Sequence, residues 1–352
     1  MNIAKVSSDD VVKLSSNENP LGPSPRAVEA MCRAASKMSL YPNARCEKLR
    51  EAIATSLSDD FSSENVLVAA GSSEIFSFII RAFSRPSGEV IFAHPSFQVY
   101  ADAAVVDGRV PVRINLKAPR FELKPSDVEK RLTKKTAIII ITRPNNPSSR
   151  LISIEDTQKI CKLAPNAIVV CDEAYIEFAD NYPNVSAINL IEKCENLLVT
   201  RTFSKAYGLA DLRVGYVVGT AEAVNILFKI RPKWNNGELT QEAALAALSD
   251  KEHLTKTLET VRVGRAFLVD QLKSVGFTVT PNPQGNFIFA RPSSITAREL
   301  LSRLMKKGIA VRGPPADWKA NYLRISVGTK EQNQKLMSAI ESIIGGYSDR
   351  SS

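Results

Sequence analysis

The stretch "LLVTRTFSKAYGLADLR", residues 197–213, decides how this chain is read. It opens with an apolar run suited to a strand buried on both faces. It then sets a hydroxyl and an amine, Ser204 and Lys205, just past the strand's end, with a second cation at Arg213. A surface loop accounts for one such lysine. Whether it accounts for this one depends on what the other strands carry at their ends.

Working outward, the candidate strands are "NVLVAA" (65–70), "EVIFA" (89–93), "RVPVRI" (109–114), "AIIIIT" (137–142), "AIVVCD" (167–172), "LLVTR" (197–201) and "RVGYVV" (213–218). Several are rich in Val and Ile with little alternation, and helical patterns separate them. This is the α/β class, with a mostly parallel sheet sandwiched by helices. Helix starts are marked by Ser126-x-x-Glu129, which has capping-box form, and by Ser72 or Ser73 after Gly71 at the head of "SEIFSFIIRAF".

After about residue 240 the pattern changes. One long helical region, "LTQEAALAALSDKEHLTKTLETVRVGRAFLVDQLKSVG", ends at Gly276. Strands "FTVTP" and "NFIFA" follow, then the helix "ARELLSRLMKKG", strands "IAVR" and "YLRISV", and an end helix opened by Thr329-x-x-Gln332. The expected organisation is an N-terminal arm (1–35), a large domain (36–240) and a small α+β C-terminal domain (241–352). Only the tail "YSDRSS" reads as disordered, and no internal repeat is present.

At 352 residues, 44% hydrophobic and 24% charged, the chain has the composition of a soluble globular protein with a full core. No apolar run approaches bilayer length, and "MNIAKVSSDDVVKLSSNENP" lacks a signal-peptide core, so the expected compartment is the cytoplasm, with no membrane partner. Cys32, Cys46, Cys161, Cys171 and Cys194 form no C-x-x-C pair and read as reduced thiols. With only His94 and His253, neither a histidine metal site nor a Ser-His-Asp triad has material to be built from. The net charge of +9 comes from basic residues interleaved with acids, as in "KPSDVEKRLTKK", which argues against nucleic acid and leaves small anions as partners.

Four strand ends in the large domain carry polar groups: Gly71-Ser72-Ser73, Asn145-Asn146-Pro147, Asp172-Glu173-Ala174-Tyr175 and Ser204-Lys205. In an open α/β sheet the carboxyl ends of the strands line one crevice, so amide, carboxylate, phenol, hydroxyl and amine can meet there.

Taken with "SSNENPLGPSP", "YPN", "RPNNP", "CDEAYIEF", "TFSKAYGLADLRVGY" and "YLRISVGT", these residues resemble the fold-type-I pyridoxal-phosphate enzymes. Within them they look like the histidinol-phosphate aminotransferase branch of the class I/II aminotransferases, in one order from about residue 13 to 340. The resemblance implies pyridoxal 5'-phosphate as cofactor, a small anionic amino substrate and a 2-oxo acid as reactants, and a homodimer. Lys205 would be the amine that condenses reversibly with the cofactor's aldehyde and later moves a proton. Asp172 would face the ring nitrogen, where an opposite charge at ~4 Å is worth about 4 kcal/mol at an effective dielectric near 20. Tyr175 and Asn146 would bond the phenolic oxygen, and Phe97 would stack on the ring. The resemblance assigns the phosphate to Gly71, Ser72, Ser73, Thr202, Ser204 and Arg213, a helix start backed by a guanidinium. It has Tyr41 reach a neighbouring subunit's phosphate, Arg324 grip the substrate's anionic end with Arg312 beside it, and Asn19 and Tyr322 line the site.

Three positions depart from the family pattern. "NPSS" stands where N-P-T-G is common, Asp211 where Gly is usual, and "GSSE" where a different acidic arrangement is common. The leading expectation is histidinol-phosphate/2-oxoglutarate transamination, in histidine biosynthesis. Rivals on the same fold are an aromatic amino-acid aminotransferase and a phosphothreonine decarboxylase. A non-catalytic regulator would need a DNA-binding domain for which only about 40 residues precede Tyr41, and a nicotinamide dehydrogenase would need a G-x-G-x-x-G that follows no candidate strand.

Overall fold

The isoleucine run at 138–141 lacks a polar face because both of its faces are covered. Ile139 and Ile141 enter one apolar core, and Ile138 and Ile140 enter another on the opposite side of the sheet. That is the two-residue period of a strand. Each large aliphatic side chain withdrawn from water contributes about 1.5–3 kcal/mol, so a one-residue slip is heavily penalised. Val169 and Val170, and Leu197 and Leu198, split between the two cores in the same way.

The computed structural model describes residues 11–313 and 321–348. Its strands are β1 (Val12–Leu14), β2 (Val66–Ala69), β3 (Glu89–His94), β4 (Val110–Asn115), β5 (Thr136–Thr142), β6 (Ile168–Asp172), β7 (Leu197–Thr202) and β8 (Gly215–Val218), followed by β9 (Thr278–Val279), β10 (Phe287–Arg291), β11 (Ile309–Val311) and β12 (Leu323–Ser326). Strands β2 to β8 form one seven-stranded sheet in the order β2-β8-β7-β6-β5-β3-β4. All neighbours are parallel except those of β8. Each strand expected in this region is present. β4, expected from "RVPVRI", is an edge strand and accordingly less covered than the others.

Two expectations about helices are corrected. The long region before Gly276 is two helices, Glu238–Ser249 and Lys251–Ser274, because Asp250 leaves the helix and its carboxylate caps the second one through the His253 N–H at 3.1 Å. Ser126 does not open its helix. The helix is Pro125–Glu129, and the Lys124 N–H donates to Asp127 at 3.2 Å one position earlier. The Thr329–Gln332 box is formed reciprocally, at 2.9 and 3.3 Å.

In the C-terminal part β9, β10 and β12 form a three-stranded antiparallel sheet. β1 pairs in parallel with β11, so the start of the described chain is stitched to residues nearly 300 positions later. Among the described residues no helix is long and apolar enough to cross a membrane. All five cysteines are free. Of the "YSDRSS" tail, residues 349–352 lie outside the described residues.

Candidate active site

Parallel strands β5, β6 and β7 run in register, with Thr142 opposite Asp172 and Asp172 opposite Thr200. Their carboxyl ends share one edge of the sheet, where a cleft of about 150 Å³ opens. Every residue expected to hold the cofactor lines it except Gly71 and Tyr41; Thr142, Ala174 and Ala210 line it too. Asp172 and Lys205 therefore face the same space.

Asp172 is buried at the tip of β6. Tyr100 donates to its Oδ2 at 2.5 Å, the Ala174 N–H to its Oδ1 at 3.1 Å, and Thr200 weakly at 3.5 Å. All of these donors are neutral. Burial raises its pKa to about 6, against the lowering effect of the hydrogen bonds. The site thus stores a carboxylate that a cation placed in the cleft would stabilise.

At the other end the helix Ser72–Phe83 begins directly after β2, and its exposed N–H groups make an anion site. Gly71 takes φ 82°, and a Cβ there would lie 2.5 Å from Arg213 Nη2, so only glycine lets the guanidinium close over the helix start. Arg213 Nη1 donates to the Ala210 carbonyl at 2.9 Å and approaches Ser204 Oγ at 3.4 Å. The Ser204 N–H donates to Thr202 Oγ1 at 3.1 Å, which fixes both hydroxyls beside the arginine. Phe97 stands edge-on to Tyr100, with centroids 5.7 Å apart.

Between these ends, Lys205 Nζ donates to the Ser16 carbonyl at 3.0 Å and lies 5.9 Å from the Tyr175 ring centre. Tyr175 Oη receives Nδ2 of Asn146 at 3.3 Å and of Asn17 at 3.2 Å. Arg324 holds Asn146 Oδ1 at 2.8 Å and the Ser15 carbonyl at 2.5 Å, while its Nε is buried without a partner among the described residues. Burial, followed by the neighbouring Arg312, pushes this guanidinium's pKa down; only the Tyr175 phenol pulls it up. It is a desolvated cation, and the groups it is seen to bond are neutral.

Several expected residues lie elsewhere. Asn19 does not line the cleft: its Nδ2 holds the Ala206 carbonyl at 3.0 Å and Thr257 at 3.3 Å, and its Oδ1 takes the Leu21 N–H, so it braces the Lys205 loop. Tyr41 is 82% exposed and packs against Trp234. The Arg312 side chain is exposed, although its backbone pairs with that of Arg324 at 2.9 and 3.0 Å. Tyr322 is core, stacked on Phe289. Sequence reasoning missed Asn17, Tyr100 and Thr142. Asn17 sits in the quoted "NENP" run, two residues before the asparagine that was singled out.

The departures have local accounts. Ser149 keeps the left-handed conformation, φ 61°, that its position demands, and its Oγ accepts the N–H groups of Gln284 and Gly285 at 3.1 and 2.8 Å. Those bonds offset the backbone strain that a glycine would avoid. Glu74 of "GSSE" accepts from the Ala70 N–H and from Asn235, each at 2.6 Å, bracing the turn before the helix. Asp211 is exposed.

Residues 9–340 match the family described as aminotransferase class I and II. The chain belongs to that family. It is 35% identical to the histidinol-phosphate aminotransferase of Moorella thermoacetica, over 95% of this chain and 86% of that one. To the enzyme of the same name from Akkermansia muciniphila it is again 35% identical, over 95% and 90%. Among solved structures, it superposes on the histidinol-phosphate aminotransferase of Sinorhizobium meliloti in complex with pyridoxal-5'-phosphate with a TM-score of 0.88, at 23% identity and over 96% and 91% of the two chains. With the Clostridium acetobutylicum protein of that name the TM-score is 0.87, at 24% identity, over 95% and 99%. These two establish that this aminotransferase has the fold-type-I architecture.

The cofactor of this family is pyridoxal 5'-phosphate, and the donor set of the cleft fits it. A cation-free buried carboxylate suits a protonated ring nitrogen. The glycine-backed helix start with Arg213 suits a phosphate, and Lys205 suits an aldehyde.

Proposed function

We propose that this aminotransferase moves the amino group of histidinol phosphate to 2-oxoglutarate, with pyridoxal 5'-phosphate held as the site geometry suggests. The observation that carries this reading is the desolvated guanidinium of Arg324, which meets no carboxylate among the described residues and is backbone-paired to Arg312 at the edge of a cleft holding Lys205 and Asp172. The Arg312 side chain is exposed, yet its charge is near enough to lower the Arg324 pKa, and two such cations suit a phosphate dianion better than a single carboxylate. The names of the relatives at 35% identity point the same way.

When bound, pyridoxal phosphate supplies an aldehyde and an electron-withdrawing ring that stabilises negative charge at the substrate carbon bearing nitrogen. The chain's own groups do the rest. Asp172 would keep the ring-nitrogen proton in place, and Tyr175 and Asn146 would hold the phenolic oxygen. Ser72, Ser73, Thr202, Ser204 and Arg213 would hold the phosphate, and Phe97 would pack on the ring. The amine of Lys205, free once substrate has entered, would take the proton from the substrate carbon that bears nitrogen and deliver it across that nitrogen to the carbon of the cofactor's aldehyde.

A homodimer belongs to the same proposal. Tyr41, Met38, Leu40 and Trp234 form an exposed apolar patch, the kind of surface that interfaces cover, and Tyr41 would reach the partner's phosphate from there. So do a cytoplasmic setting and the division into arm (1–35), large domain (36–240) and small domain (241–352).

The test is a half-reaction. Histidinol phosphate should bleach the visible band of the loaded protein, and 2-oxoglutarate should restore it. Bleaching by phenylalanine but not histidinol phosphate would overturn the substrate; release of carbon dioxide from phosphothreonine would overturn the reaction type. Lys205→Ala should abolish borohydride-fixed cofactor and lower turnover on the order of 10⁴-fold, with unchanged thermal stability because the side chain is only half-buried.

A further inference from the structure

A phenolic hydroxyl has one proton to give and two lone pairs to fill. At Tyr175 two amides point their Nδ2 groups at Oη, Asn146 at 3.3 Å and Asn17 at 3.2 Å. Both amides present nitrogen, not oxygen, to that hydroxyl. Arg324 can only donate, and it holds Asn146 Oδ1 at 2.8 Å, so Asn146 must present its Nδ2 to the tyrosine. For Asn17 the direction comes from Ser326. The serine Oγ accepts the Asn17 backbone N–H at 2.8 Å and donates its own hydrogen to Asn17 Oδ1 at 2.9 Å. Nδ2 is then left for Tyr175.

Asn17 has no other freedom. It is fully buried, and its carbonyl receives Asn286 Nδ2 at 3.0 Å. Its φ of 55° is one that asparagine tolerates and most residues do not. Arg324 and Ser326 are two residues apart on β12, hence on one face of the strand. One strand face thus orients both amides, and both amides fill the same oxygen. The single proton of Tyr175 has only the cleft left to point into.

We infer that Asn17, backed by Ser326, is a positioning residue that locks Tyr175 as a one-way hydrogen-bond donor into the cofactor cleft, in parallel with the Arg324–Asn146 pair. The inference rests on the cleft being the pyridoxal-phosphate site, and its acceptor there is the phenolic oxygen. Donation to that oxygen draws off negative charge and loosens the neighbouring proton. The pH midpoint of the bound cofactor's visible absorbance therefore reports the direction of the Tyr175 proton, without turnover being measured.

Asn17→Asp keeps the shape but replaces the donor with an acceptor, turning the tyrosine's proton away from the cleft. The midpoint should rise by about one unit, approaching that of Tyr175→Phe. Asn17→Ala and Ser326→Ala add no charge and only unlock the hydroxyl; their midpoints should rise by roughly a third as much. The charged groups around Tyr175, namely Lys205, Asp172, Arg324 and Arg312, are unchanged in all of these proteins. Asn17→Asp, however, adds a carboxylate whose charge alone raises the midpoint, so Asn17→Ala and Ser326→Ala decide the test. A purely structural role for Asn17 would lower the thermal midpoint and leave the titration alone. Midpoints within about 0.2 unit of wild type in both Asn17→Ala and Ser326→Ala, with Tyr175→Phe shifted, overturn the inference even if Asn17→Asp does not fold. A wild-type protein that takes up no coloured cofactor overturns this inference and the proposed function together. One that takes up cofactor but ignores histidinol phosphate removes only the substrate.

Discussion

Asp172 and Glu173 are adjacent acids at the end of one strand, both buried, and they live in opposite surroundings. Strand alternation sends Asp172 to the cleft and Glu173 to the far side of the sheet. Glu173 is saturated: Arg143 and the Ala187 N–H reach Oε1 at 2.6 Å, and Ser186 and Arg201 reach Oε2 at 2.7 and 3.0 Å. The two arginines are in turn tied to the Ile152 and Val185 carbonyls and to Tyr182. Asp172 has only neutral donors, and burial lifts its pKa to about 6. A buried acid that is part of the scaffold comes with its counter-charges. A buried acid kept for a ligand is left wanting one, and the fold bears that cost.

The contrast breaks most dramatically at Glu173. Glu173→Gln removes the carboxylate shared by two buried guanidiniums and should cost about 3–5 kcal/mol, read as a fall in the urea midpoint at pH 7. Asp172→Asn should do the reverse in cofactor-free protein. The folded pKa lies above the usual value of 3.8, so this group's stabilising contribution is complete below pH 4 and is lost as pH rises through about 6. Above that pH the wild type has given up roughly 3 kcal/mol that the asparagine variant keeps. At pH 8 the variant should therefore unfold at higher urea than wild type while failing to retain cofactor. Glu177, raised to about 7 by burial, gives both proteins a residual slope of the same sign.

The sequence betrays much of this and conceals a definite remainder. Double burial writes itself as unbroken Val and Ile runs, so the large sheet was legible. Lys205, Asp172, Asn146 and Arg213 stand in short motifs next to those runs. What stayed hidden depends on long-range pairing. Tyr100 reads as one more core aromatic in "HPSFQVY" until folding brings its hydroxyl to an aspartate 72 positions away. "NENP" offers two asparagines, and only the turn geometry sends Asn17 to the tyrosine and Asn19 to the lysine loop. Asp250 looks like a surface residue inside one helix because a capping role needs the chain to leave the helix there. Arg143 and Arg201 carry no local sign that a single glutamate will pair with them both.

The smallest effect sharpens the comparison furthest, because it leaves both acids in place. Tyr100 is the largest favourable influence on the Asp172 carboxylate, and burial keeps its own phenol neutral, well above the usual value. The ionised aspartate can only accept, so the tyrosine's proton is directed at it, and Thr142 lies 3.0 Å from the same hydroxyl. Tyr100→Phe removes one hydrogen bond to a charged acceptor and should push the Asp172 pKa from about 6 further up by about one unit. Any loss of packing or of the Thr142 contact is the same at every pH and cancels in a difference. The drop in stability of cofactor-free protein between pH 5 and pH 8 should therefore widen by about 1 kcal/mol in Tyr100→Phe. In the double variant with Asp172→Asn that widening should vanish. If it persists there, the tyrosine is tuning some other group, and Asp172 is not the acid whose unmet charge distinguishes the two sides of the sheet.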